Sequence, residues 1–134
     1  MSKKKVLLIT HDSLLATAYR GRLIRKGYNV EVAFIGQHGL FKARRNNPDL
    51  IVLDVTLPGL NGLDVLKCLT DVPWLAKVHV VLLIEKILNR DALNECLIWG
   101  GDSYLYKDTT SVAAFVEHID KVLSSTAPSV AAES

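Results

Sequence analysis

Cysteine is scarce: Cys68 and Cys96 are the only two among 134 residues, and they lack metal-type spacing. A disulfide scaffold is thereby excluded, and buried free thiols in a reducing cytoplasm are the expectation. Long apolar runs are missing too. Each is short and broken by charge, which leaves no membrane-spanning segment. The opening MSKKKVLLITHD is basic, but its apolar stretch is very short and no small-residue cleavage site follows, so no signal peptide is read. Excess charge of one sign is small. The formal net charge of +2 does not argue for nucleic acid. Local clusters at Lys3, Lys4 and Lys5, at Arg20, Arg22, Arg25 and Lys26, and at Lys42, Arg44 and Arg45 read as solvated faces, with an acidic partner surface as the alternative. There is no internal repeat, no P-loop and no G-x-G-x-x-G.

What remains is a chain that is 49% hydrophobic and 22% charged, enough for one domain with a sizeable core. Lys5 to Thr10 reads as a buried strand. Ser13 to Lys26 reads as a helix with Leu15, Tyr19 and Leu23 on one stripe, Leu14 and Ala18 beside it, and Gly27 as the stop. Tyr28, Val30, Val32 and Phe34 alternate with Asn29, Glu31 and Ala33, which suggests an edge strand. A second helix covers Gln37 to Arg45. Leu50 to Leu53 is apolar on both faces. A helix over Leu63 to Leu69 follows Asn61 and Gly62, and Val78 to Ile84 is a fourth strand. Asn89 can cap a helix carrying Leu93, Cys96 and Leu97, ended by Gly100 and Gly101. Asp102 to Tyr106 is a short fifth strand. The last helix shows Val112, Phe115, Val116, Ile119, Val122 and Leu123 on one face. The domain is expected over residues 1–126, and residues 127–134 read as a flexible tail or linker.

Strand and helix alternate five times. That pattern predicts an α/β fold: a single doubly wound, five-stranded parallel sheet of flavodoxin-like order 2-1-3-4-5 with five helices. Ligands of such sheets bind beyond the carboxyl ends of strands 1 and 3. Thr10, His11 and Asp12 arrive there after the first strand, Asp54 after the third, Ile84 and Glu85 after the fourth, and Lys107 after the fifth. Asp54 therefore lies at the default site, with Lys107 the cation to meet it. The plainer reading of the two is a buried ion pair that organises loops.

The stretch PDLIVLDVTLPGLNGLDVLKCL resembles the central signature of a response regulator receiver domain, and GGDSYLYKD resembles its fifth strand. The likeness covers roughly residues 4 to 123. It implies a two-component signalling domain rather than an enzyme, located in the cytoplasm. In it Asp54 is the phosphoacceptor, Lys107 the partner of phosphate and carboxylate, and Tyr104 the aromatic switch. It implies a histidine kinase or phosphotransfer protein as donor. It also implies an output protein or a second copy on the face of helix 4, strand 5 and helix 5, where Ile87, Leu88, Ile98, Trp99 and Tyr106 could supply apolar contact. Neither nucleic acid nor membrane is expected as a partner.

The likeness is incomplete. The family's two adjacent acids, which hold Mg²⁺ with the acceptor, fall here on Thr10 and His11. Asp12 is one residue further on, where it is placed to cap the next helix. Mg²⁺ binding is doubtful, weakly through Asp54, Asp12 and the backbone oxygen of Thr56. The Ser or Thr expected at the end of strand 4 is Ile84, which has no hydroxyl. Asp108 stands where Pro commonly follows the lysine. Three functions follow: a working phosphoacceptor, a phosphorylation-independent pseudo-receiver acting as an interaction module, and, third, a flavodoxin-like cofactor binder.

Overall fold

The computed structural model describes residues 3–86 and 89–124. Strands β1 (Lys5–Ile9), β2 (Asn29–Ala33), β3 (Leu50–Asp54), β4 (His79–Ile84) and β5 (Ser103–Tyr106) alternate with helices α1 (Ser13–Arg25), α2 (Gly36–Asn46), α3 (Gly62–Thr70), α4 (Arg90–Ile98) and α5 (Val112–Ser124). A short 3-10 turn, Pro73–Leu75, precedes β4. All strands are parallel, in the order β2-β1-β3-β4-β5, as expected.

β3 lies at the centre of the sheet, and all five of its residues are buried. That is why its sequence shows no alternation: one face packs under α2 and α3, the other under α1 and α5. The two faces make two cores. Ile51 and Leu53 join Leu7, Ile9, Leu82 and Val65 in one, and Leu50 and Val52 join Leu8, Leu23, Phe115 and Ile119 in the other. A one-residue slip of β3 would exchange these faces and carry Asp54 out of place. α1 and α5 are joined by a stacked pair, Tyr19 on Phe115, with ring centroids 3.7 Å apart.

Some helical faces differ from the sequence reading. Leu14 is 83% exposed and Ala18 is exposed, while Ala16, Tyr19 and Leu23 are the buried residues of α1. Phe34 falls beyond the end of β2 and is exposed. On α4 only Cys96 is buried; Leu93 is half-buried and Leu97 exposed. Burial pushes the Cys96 thiol up, aided by Glu95, so it stays protonated and inert. Both cysteines are free. No helix among the described residues is long and apolar enough to cross a membrane. Residues 127–134, expected as a tail, lie outside the described residues, as do Ile87 and Leu88.

Candidate functional site

β3 ends on Asp54 because the strand runs straight out of the core into a loop that folds back on it. The Val55 N–H still donates to the Leu83 carbonyl at 3.0 Å, and the Gly62 N–H returns to the Val55 carbonyl at 3.2 Å. A Cβ at Gly62 would stand 2.7 Å from the Val55 Cα, so only glycine lets α3 start this close to the strand. The Asn61 side chain accepts from the Asp64 N–H, and Asp64 reaches back to the Asn61 N–H. This capping box pins the far end of the loop.

The Asp54 carboxylate is buried, its side chain 1% exposed. A buried carboxylate persists only if its oxygens are paired. Here each oxygen receives two donors. Oδ2 accepts the Lys107 ammonium at 2.7 Å and the Thr10 hydroxyl at 2.8 Å. Oδ1 accepts the Thr56 N–H at 3.0 Å and the Thr56 hydroxyl at 2.9 Å. An ionised carboxylate offers about four lone-pair sites, so its accepting capacity is filled.

The donors are themselves held. The Thr10 N–H bonds the Ala33 carbonyl at 3.0 Å, extending β1 by one residue, and Thr10 is fully buried. The Asp12 N–H donates to Thr10 Oγ1 at 3.2 Å, which leaves the hydroxyl proton aimed at Asp54. Lys107 hangs from the end of β5, its N–H on the Ile84 carbonyl at 2.8 Å. Its side chain is 17% exposed, so the ion pair is shielded from water and salt.

Thr10, Asp54 and Lys107 thus meet, as their places after strands 1, 3 and 5 required. Asp12 and His11 do not join them. Asp12 is exposed and spends its Oδ1 on the Leu15 N–H at 3.0 Å as the N-cap of α1. His11 is exposed. Among the described residues no group of three His, Cys, Asp or Glu side chains could hold a metal. Among the described residues Asp54 is the only carboxylate in its cluster of hydrogen bonds, and its four acceptor positions are taken. This donor set does not fit Mg²⁺, which takes carboxylate and water oxygens in an octahedron. Ile84 ends β4, buried in the core with Leu82. Tyr104 is 39% exposed and meets Tyr106 edge-on at 5.8 Å.

Sequence reasoning misses the donor role of Thr56, whose N–H and hydroxyl reach Asp54, and assigns only its backbone oxygen, to a metal. An Asp followed two residues later by Thr is the pattern in which a carboxylate accepts from the N–H two positions on, and that signal was available.

The family profile described as the response regulator receiver domain matches residues 6–120, most of the chain. The chain belongs to that family. The receiver is 30% identical over 122 residues to a gliding motility regulatory protein of Myxococcus xanthus, covering 90% of this chain and 16% of that protein. It is 32% identical to the response regulator MprA of Mycobacterium leprae, covering 97% of this chain and 55% of the relative. The receiver therefore spans only part of such relatives. Its fold matches a solved receiver domain from Methanospirillum hungatei with a TM-score of 0.82 at 23% identity, covering 91% and 94% of the two chains. A Francisella response regulator receiver domain gives 0.77 at 28% identity, covering 90% and 96%.

Proposed function

We propose that this receiver signals through protein docking, with Asp54 as the formal phosphoacceptor but with its phosphorylation impaired. Response regulators act with histidine kinases and output domains, and the same two kinds of partner are proposed here. One observation carries the reading: all four acceptor positions of Asp54 are filled from within the chain. Attack on a phosphoryl group needs one carboxylate oxygen uncovered and in line with the leaving group. Uncovering one here means giving up at least one charge-assisted hydrogen bond, which costs about 2 kcal/mol. Without a fitting metal, Lys107 is the one cation among the described residues that hydrogen-bonds Asp54 and could answer the charge that builds on the phosphoryl oxygens. Ile84, at the position of the family's Ser or Thr, supplies no donor. Lys107 and the two threonine hydroxyls hold Asp54 in the role a metal and a phosphoryl group would otherwise share.

The docking surface of this reading is the face of α4, β5 and α5. Between α4 and β5 lies a groove of about 260 Å³ whose lining includes Ile84, Arg90, Leu93, Leu97, Tyr104 and Tyr106. Ile98 is 79% exposed beside it, and β5 is an edge strand. Exposed aromatic rings with an arginine are the kind of side chains that anchor interfaces. Tyr104 already sits outward, so the groove does not wait on an aromatic switch. The flavodoxin-like cofactor reading has less support, because neither Asp54 nor Thr10 lines any of the hollows under α2, beside α3 or between α4 and β5.

Metal dependence tests the reading directly. Thermal unfolding of the parent is expected to be unchanged by about 10 mM Mg²⁺, since a ligand that binds the native state at ten times its Kd stabilises it by about 1.4 kcal/mol. The double substitution Thr10→Asp with His11→Asp should be less stable than the parent without metal, through repulsion from Asp54, and should regain stability with Mg²⁺. A clear upward shift of the parent with Mg²⁺ would contradict the closed site.

A further inference from the structure

We propose that the end of the sheet where β1 and β2 begin is a second docking surface, one that takes an extended acidic segment of a partner protein. The charge of this chain is unevenly placed. Ten of its sixteen Lys and Arg residues lie within the first 49 positions, against three of its fourteen acids, Asp12, Glu31 and Asp49. The topology then brings most of them to one end, where Lys26 is already paired with Asp120 of α5 at 3.2 Å. Helices of a doubly wound sheet run back against the strands, so α1 and α2 finish where β2 and β3 start. Arg22 and Arg25 fill the last turn of α1, and Arg44 and Arg45 that of α2. Lys3 and Lys4 lead into β1 at the same end, and both are exposed. Lys5 opens β1 opposite Asn29 of β2.

At the centre of this basic end is a groove of about 280 Å³ whose walls include Lys5, Asn29, Glu31, Lys42, Asn46 and Pro48. Its polar groups are set in place. Lys5 Nζ donates to the Asn46 carbonyl at 3.1 Å, Asn46 Nδ2 donates to Glu31 Oε1 at 2.6 Å, and Lys42 lies 3.7 Å from Glu31 Oε2. The volume is just below the range of about 300–1,000 Å³ usual for small-molecule sites, and suits a few side chains of a partner. Glu31 decides the kind of partner. Its carboxylate faces the groove and opposes an unbroken run of phosphates, as in nucleic acid. A peptide sets backbone N–H donors between its carboxylates, and those can meet Glu31 while the carboxylates meet Lys42, Lys4 and Arg45. The surface is independent of Asp54. Glu31 is level with Leu7 and Ile51 in the middle of the sheet, three residues and about 10 Å short of Asp54, and Lys5 lies about 15 Å from Asp54 along the sheet.

The test is fluorescence anisotropy of a labelled ten-residue peptide of alternating Glu and Gly, at low and at raised salt. The parent is compared with the triple variant Lys4→Gln, Lys42→Gln, Arg45→Gln and with a control pair elsewhere, Lys67→Gln with Lys121→Gln. Expected are saturable binding at low salt, loss of affinity with salt, at least about tenfold weaker binding by the triple variant, and less than about twofold change in the control. The Gln–Gly peptide should not compete, and a single-stranded oligonucleotide of equal charge should bind more weakly than the peptide. Three results overturn the proposal. One is no binding by the parent. Another is equal affinity in parent and triple variant with a lower melting temperature in the variant, which would mean that the charges serve only the helix ends. The third is an oligonucleotide held as tightly as the peptide, which would make the surface a nucleic-acid site.

Discussion

Thr10 is the residue on which the closed site turns. Its hydroxyl donates to Asp54 and accepts from the Asp12 N–H, so a single oxygen links the end of β1, the start of α1 and the Asp54 carboxylate. Thr10→Val keeps the shape and removes the hydroxyl, leaving Asp54 one donor short and the Asp12 N–H without its acceptor. The expected loss is about 1–3 kcal/mol in urea unfolding, with most of it restored in Thr10→Ser. A neutral Thr10→Val would mean that the hydroxyl does not hold the carboxylate. Asp54 and Lys107 were legible in the sequence, because a strand-ending acid and a strand-ending lysine reach the same mouth once the strand order is known. The work of Thr10 is not: its position marks it as a residue at that mouth where the family carries an acid, without showing its bond to Asp54. A hydroxyl's partner 44 residues away is decided by sheet pairing, and no local pattern shows it.

At the scale of elements, the loop after Asp54 is more constrained than the helices around it. Gly62→Ala would press its Cβ against the Val55 backbone at 2.7 Å, and backbone cannot step aside. Gly39→Ala on α2 would press on the buried Ile9 side chain, 2.5 Å from Cδ1, 2.9 Å from Cγ1 and 3.1 Å from Cγ2, where side-chain atoms yield more readily than backbone. Both should destabilise, Gly62→Ala by about 2–3 kcal/mol and Gly39→Ala by less, as measured by chemical unfolding. The reverse order would place the tight contact at α2. All five strands and five helices were legible because apolar runs and capping residues mark them, Asn61 and Asn89 among the caps. Helix faces were less so. Leu14 lies in the first turn of α1 yet is exposed, whereas Ala16 packs inward. α4 carries the right spacing on paper but buries only Cys96. Periodicity reports that a helix has a face, not how much protein lies beneath it.

Across the whole molecule, stability should depend on pH through the β5–α5 contact. His118 Nε2 lies 2.8 Å from the Ser103 hydroxyl, and burial, with Lys121 nearby, holds the imidazole below its ordinary range. A histidine that resists protonation when folded binds protons more readily when unfolded. Its contribution is therefore full above the unfolded value of about 6.5 and is lost as pH falls toward the lower folded value. The melting temperature should drop further between about pH 7.5 and 5.5 in the parent than in His118→Gln; parallel curves would mean that His118 is not the source of the pH dependence. On the same scale, the two ends of the sheet divide the chemistry, with a filled carboxylate at one and a basic groove at the other. The filled end is expected to resist phosphorylation. Intact mass after incubation with acetyl phosphate and Mg²⁺, with Asp54→Asn in parallel and folding checked for both, decides this. No gain of a phosphoryl group is expected in either protein. One phosphoryl group gained by the parent and none by Asp54→Asn would show that the four hydrogen bonds open for chemistry, and would contradict that expectation.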